Sequence, residues 1–177
     1  MTNTLNSRQF KRAVKSRHGG IFSGGNATLG LIAGRTGAGK TQLLFDLLTT
    51  PNVLDYNRLY IYTPTTSQSA YQFLLHGFNK NLTKEAVRYL FNEYEKDESI
   101  EMSIEDFCNE ASKNVDMRVK DFATDKIEVT LDSNSLPLPD QLDKTKKNLI
   151  IFDDCVSSRN QILQKEYFTR GRHNSCT

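Results

Sequence analysis

Apolar positions along the chain form short continuous runs that alternate with longer stretches of helical spacing. The continuous runs ATLGLIAG, RLYIYT and NLIIFDDC begin at residues 27, 58 and 148, and they have the length of buried strands. TQLLFDLLTT follows the first run and SQSAYQFLLHGF follows the second, each with apolar residues three or four positions apart. Strands that alternate with helices predict an α/β fold with a mostly parallel sheet.

Residues from about 80 to 135 do not continue this alternation and are predicted to be an insertion. Thr83 is expected to cap a helix in the segment TKEAVRYLFNEYEK. Ser103 with Asp106 resembles a capping box before a second helix. Between 119 and 131, apolar and polar residues alternate, which indicates either an exposed hairpin or edge strands. A last helix is expected from about 160 to 169. The domain therefore spans 27–177, behind a basic arm of residues 1–26.

Composition narrows the class of protein further. The 177 residues are 37% hydrophobic and 25% charged, as in ordinary globular domains. No apolar run approaches the roughly 20 residues that a membrane-spanning helix needs, and the three cysteines form no CxxC pair. We therefore expect an intracellular protein without a membrane segment. The net charge is only +2, so nucleic-acid affinity would come from local basic clusters, for which solvated surface is the alternative.

A phosphate-binding motif joins the first run to its helix. Residues 34–41, GRTGAGKT, fit G-x-x-x-x-G-K-[ST] at every fixed position. The glycines let backbone N–H groups curl around phosphate oxygens at the positive end of a helix. We expect Lys40 to contact the β- and γ-phosphates of ATP, and the Thr41 hydroxyl to be a ligand of Mg²⁺. The predicted nucleotide-binding set is Gly34, Arg35, Thr36, Gly37, Ala38, Gly39, Lys40, Thr41 and Gln42.

Two acidic residues end the third apolar run. Asp153 and Asp154 are expected at the mouth of the same pocket, where the first carboxylate anchors Mg²⁺. Adjacent strand residues point to opposite sides, so Asp154 is the candidate base for the attacking water. A turn that caps a core strand is the alternative. Thr63 or Thr65, after the second run, is a candidate contact of the catalytic acid or a simple strand terminus.

Two arginines, Arg170 and Arg172, follow at the end of the last predicted helix. Cations there complement the helix dipole. The functional alternative is an arginine finger that inserts beside the γ-phosphate in a neighbouring subunit. Spacing alone does not decide between the two.

The segments LIAGRTGAGKT, YIYTPTTSQSAYQFL, LPDQLDKTKKNLIIFDDCV and QKEYFTRGRHNSCT together resemble the poxvirus-type DNA-packaging ATPases of large DNA viruses, virophages and related mobile elements, in the FtsK/HerA superfamily. The resemblance covers most of residues 27–177. It implies a RecA/ASCE-like P-loop NTPase that forms a ring and moves double-stranded DNA into a capsid, with contact to the capsid or portal. It implies a location in the cytoplasm, nucleus or viral factory, or in the virion. In this family pattern Asp153 is the Mg²⁺-associated acid, Asp154 the catalytic acid, and Arg172 or Arg170 acts in trans.

Members of that family continue past the arginine motif into a hydrophobic strand that lies between the loop strand and the Asp-Asp strand. This chain ends where that strand would begin, so we expect a C-terminally truncated sequence, with two apolar strands left unpaired and low activity. Two other functions stay open from the motifs alone. One is a different P-loop NTPase, helicase-like or a nucleotide kinase, and the other is a nucleotide-binding assembly module without turnover.

Overall fold

The computed structural model of the protein describes residues 29–120, 126–155 and 161–170. Its helices are α1 (Lys40–Thr49), α2 (Ser69–Asn79), α3 (Lys84–Lys96), α4 (Ile104–Ala111) and α5 (Gln161–Arg170), and its strands are β1 (Arg58–Tyr62), β2 (Glu128–Asp132) and β3 (Asn148–Phe152). Short 3₁₀ turns occupy Val115–Met117 and Pro139–Gln141. The α/β alternation expected from the sequence is confirmed for these elements.

The three strands form one parallel sheet in the order β2-β1-β3. Arg58 of β1 is level with Glu128 on one side and Asn148 on the other, and Tyr62 is level with Asp132 and Phe152. Parallel strands place their carboxyl ends at one edge of the sheet. Of the two alternatives for residues 119–131, the edge strand is observed as β2. The hairpin is wrong for the residues described here, because β2 runs parallel to β1.

The strand predicted in the run before the phosphate motif is wrong over its described part, residues 29–33. These residues pair with no strand, and Leu29 and Leu31 are 67% and 90% exposed. The physical reason is that a strand needs a ladder partner, and residues 29–33 pair with none of the three described strands. Without a neighbour, apolar composition does not hold the segment in a sheet. Residues 27 and 28 lie outside the described part.

Helices pack on both faces of the sheet, which explains why β1 is apolar at every position after Arg58. Leu59 and Ile61 belong to the larger cluster, whereas Tyr60 and Tyr62 face a smaller one with Leu163 of α5. Four of the five β1 residues are buried. The strand predicted in RLYIYT is therefore confirmed as β1, and helices cover it on both faces.

The larger cluster joins α1 and α2 to the helices of the predicted insertion. Phe45 of α1 lies with its ring centroid 4.3 Å from that of Phe91 in α3, and Phe73 of α2 lies 5.7 Å from the same ring. Gly77 brings α2 against α3, because a Cβ there would lie 2.6 Å from Cγ2 of Val87. The Thr83 and Ser103 caps expected from the sequence are both present. The region 80–135 also contains β2, so its last residues belong to the sheet.

Candidate functional site

The phosphate motif forms a turn that leads into the first residue of α1. Gly37 and Gly39 both have φ of +77°, a left-handed conformation that residues with a Cβ adopt at a cost. A Cβ at either position would meet nothing within 4 Å, so backbone conformation and not crowding requires glycine there. The N–H of Ala38 donates to the carbonyl of Arg35 at 3.2 Å. The first N–H groups of α1 have no partner within the helix and are available to an anion.

Lys40, the first residue of α1, folds back across this turn. Its Nζ donates to the carbonyl oxygens of Gly34 at 3.0 Å and Arg35 at 3.1 Å. An ammonium group has three donors, so one is left for a ligand and the other two are held by exchangeable loop carbonyls. The rest of the predicted set is exposed to solvent except Thr41, which is half-buried. The positive charge therefore lies over the turn before any ligand binds.

Tyr71 holds the first carboxylate of the acidic pair. Its hydroxyl donates to Oδ2 of Asp153 at 2.5 Å. Burial, and then the hydrogen bond to Asp153, raise the pKa of Tyr71 above its usual value, so the hydroxyl keeps its proton; the nearby Thr41 side chain acts on this pKa in the opposite direction. The Tyr71 hydroxyl is thus bonded to Asp153 and lies near Thr41.

Asp153 and Asp154 lie just beyond β3, which ends at Phe152. The argument that adjacent strand residues alternate sides therefore does not apply to them. Asp154 instead differs from Asp153 because its φ is +52°, and its side chain is exposed whereas Asp153 is half-buried. Aspartate is one of the few residues with a Cβ that enters the left-handed region readily. The backbone, rather than the pleat, separates the directions of the two carboxylates.

Cys155 anchors the turn that carries this pair. Its Sγ is placed to donate to the carbonyls of Tyr62 at 3.3 Å and Asp153 at 3.1 Å, while the N–H of Asp153 donates to the Tyr62 carbonyl at 3.0 Å. Burial raises the pKa of the Cys155 thiol to about 11, so it stays protonated at neutral pH. The acidic turn is thereby fixed to the end of the central strand.

The two threonines after β1 lie in a hydrogen-bonded turn. Thr63 is fully buried, and its Oγ1 accepts from the N–H of Thr65 at 3.2 Å and lies 3.1 Å from Thr65 Oγ1. Gln68 Nε2 donates to that same Thr65 oxygen at 2.9 Å. These contacts favour the strand-terminus interpretation for both threonines.

The predicted arginines are only partly described. Arg170 is the last residue of α5, where its Nε lies 3.1 Å from Oε2 of Glu166 one turn earlier. Arg172 lies outside the described residues. For either arginine, a contact with the loop of a neighbouring subunit is therefore a proposal and not an observation.

The donor groups present fit ATP with Mg²⁺. Mg²⁺ prefers oxygen ligands and is commonly held by one or two carboxylates together with substrate phosphates and water. The Thr41 hydroxyl and the Asp153 carboxylate, beside a glycine turn and an ammonium group, supply that set. The described residues contain no group of three His, Cys, Asp or Glu side chains placed to hold a metal.

Sequence reasoning missed Tyr71. The apolar spacing of SQSAYQFLLHGF draws attention to Ala70, Phe73 and Leu74, which are buried on one face of α2. The available signal was position: Tyr71 lies in the first turn of the helix after β1, next to the carboxyl edge of the sheet where ligands of α/β proteins bind.

Comparison with protein-family models, with curated proteins and with solved structures finds no match for the chain. None of the helices in the described ranges is long and apolar enough to cross a membrane.

Proposed function

We propose that the protein is a Mg²⁺-dependent ATPase that uses hydrolysis to translocate double-stranded DNA, in the manner of the viral packaging motors its motifs resemble. The observation that carries the proposal is the hydrogen bond of Tyr71 to Asp153 with Thr41 close by, because it brings the end of the phosphate motif near the acidic pair. The DNA substrate and the ring rest on the resemblance of NLIIFDDC and FTRGRHN to that family. In this proposal the protein acts in an infected cell or in the virion.

Each side chain has a distinct part in this proposal. Bound Mg²⁺ supplies charge neutralisation between the β- and γ-phosphates. Lys40 exchanges its loop carbonyls for phosphate oxygens, and Thr41 and Asp153 hold the cation side of the nucleotide. Asp154, which is exposed beside them, orients the attacking water and accepts its proton.

An arginine from a neighbouring subunit completes the site in this scheme. If Arg170 is that residue, it must leave Glu166, an exposed ion pair worth at most about 1 kcal/mol. That cost is small compared with the 10³- to 10⁵-fold increase in the hydrolysis rate that an arginine finger supplies. Mixing Arg172→Ala (or Arg170→Ala) subunits with Asp154→Ala subunits should restore part of the activity, since each mixed interface can pair one intact arginine with one intact Asp154. Mixtures that are no more active than the weighted average of the two variants measured separately would count against action in trans.

The central test is phosphate release by the purified protein with ATP, with and without Mg²⁺ and double-stranded DNA. We expect Mg²⁺-dependent release that DNA stimulates and that Lys40→Ala lowers by at least two orders of magnitude, because a positioned charge on the reacting phosphates is removed. Lys96→Ala is the matched control, as this lysine is exposed on α3 and pairs with Glu93 in the same helix. Release that survives Lys40→Ala would refute the proposal.

Two other outcomes would replace the proposal with one of its alternatives. ATP-dependent assembly without phosphate release would indicate a nucleotide-binding assembly module. Transfer of the γ-phosphate to an added nucleoside monophosphate would indicate a kinase. Each outcome is read from the same reaction mixtures by product chromatography.

A further inference from the structure

Tyr71 is the residue whose chemistry the motifs do not account for. Its side chain is 1% exposed, yet its hydroxyl donates to Asp153, a group assigned to the cation. A buried tyrosine that served packing alone could satisfy its hydroxyl on a backbone carbonyl, as Tyr56 does on Leu48 at 2.8 Å. Tyr71 instead donates to a carboxylate 82 positions further along the chain.

The direction of this hydrogen bond follows from the donors available. An ionised carboxylate only accepts, so Tyr71 donates to Asp153. Asp153 uses Oδ2 for Tyr71 and keeps Oδ1 for a cation.

We propose that Tyr71 is a positioning residue for Mg²⁺, which orients the Asp153 carboxylate through its hydroxyl group. The inference rests on the proposed nucleotide site and adds to it a residue outside both motifs. Groups that orient metal ligands from behind typically change metal affinity by 10- to 100-fold when removed. Because the hydroxyl of Tyr71 is bonded to the acidic pair, it should matter for binding of the cation and not for binding of the nucleotide alone.

Tyr71→Phe tests this, since it removes one oxygen and keeps the ring in the core. The probe is a fluorescent ADP analogue, titrated first in EDTA and then with Mg²⁺ at fixed nucleotide. We expect the half-saturating Mg²⁺ concentration to rise 10- to 100-fold, with the affinity in EDTA unchanged. Tyr56→Phe is the matched control, because it deletes an equally buried hydroxyl far from the acidic pair, and its Mg²⁺ response should equal that of the wild type.

A second measurement uses the unaltered protein. Adding Mg²⁺ to the ADP complex should slow amide hydrogen exchange in the peptide that carries the first turn of α2, because the cation locks the groups that Tyr71 contacts. No change in that peptide would contradict the inference independently of how the variant folds.

The remaining outcomes separate the inference from the proposed function. An unchanged or lowered Mg²⁺ requirement in Tyr71→Phe overturns the positioning role, as does an equal loss of affinity with and without Mg²⁺. Wild-type protein that binds no ADP analogue overturns the proposed function and the inference together. Wild-type protein that binds with a normal Mg²⁺ response, beside an unaltered variant, overturns the inference alone.

Discussion

Gly39→Ala isolates the backbone conformation of the glycine turn from every contact around it. Gly39 has φ of +77° and its missing Cβ would meet no atom within 4 Å, so the substitution adds strain without a clash. A residue with a Cβ pays about 1–2 kcal/mol in this region. The turn is exposed, so the free protein can relax the strain locally. The conformational free energy must be supplied again when a nucleotide binds, because binding requires the left-handed turn. We therefore expect ADP affinity to fall about 5- to 30-fold with the melting temperature nearly unchanged.

The assay is titration of a fluorescent ADP analogue, with thermal melts of the same samples. Gly39→Asn should lose less affinity than Gly39→Ala, because asparagine enters the left-handed region more readily. Gly30→Ala is the matched control, since Gly30 is not in that region and is equally open, and it should bind as the wild type does. Equal losses for alanine and asparagine, or full affinity in Gly39→Ala, would refute the argument that conformation governs this position.

Two further predictions concern the core and its pH dependence. Gly77→Ala should lower the free energy of unfolding by about 1–2 kcal/mol, because overpacking against the stiff, buried Val87 outweighs the gain in helix propensity of about 1 kcal/mol. Urea unfolding should show that Val87→Ala relieves part of this loss, and strictly additive effects would contradict the clash. Burial lowers the pKa of Lys84 from 10.5 to about 8, so between these values the unfolded chain holds a proton that the folded chain lacks. Stability should therefore rise with pH across that interval in the wild type relative to Lys84→Met, and parallel pH profiles would count against it.

The elements that sequence patterns predicted well are those whose partners are local or whose burial is two-sided. β1 and β3 read as continuous apolar runs because helices cover both faces of the sheet. Thr83 and Ser103 immediately precede α3 and α4, and the side-chain oxygen of each caps its helix within three residues. Such signals depend on nearby residues only, so the sequence carries them completely.

Residues 29–33 show the limit of the same reasoning. Their composition matches that of β3, but strand formation depends on a partner elsewhere in the chain, and residues 29–33 pair with none of the described strands. Composition does not encode which strand is a neighbour. The same holds for Tyr71, whose proposed role depends on Asp153, 82 positions further along the chain. Motif spacing located both ends of the site but not the side chain between them.

Helix α2 is the element through which core packing reaches the site. Its first turn carries Tyr71, while Gly77 near its last turn sets its distance from α3. The hydrogen bond from Tyr71 to Asp153 is already 2.5 Å long, so a displacement of α2 toward β3 is resisted and one away from it weakens the bond. Gly77→Ala pushes α2 away from Val87. If the helix moves as a rigid body, that variant should lose stability and also require more Mg²⁺, whereas Tyr71→Phe changes the Mg²⁺ requirement with little loss of fold. A Gly77→Ala protein with reduced stability and a normal Mg²⁺ response would mean that α2 pivots about its first turn, and that the site is insulated from the helices behind it.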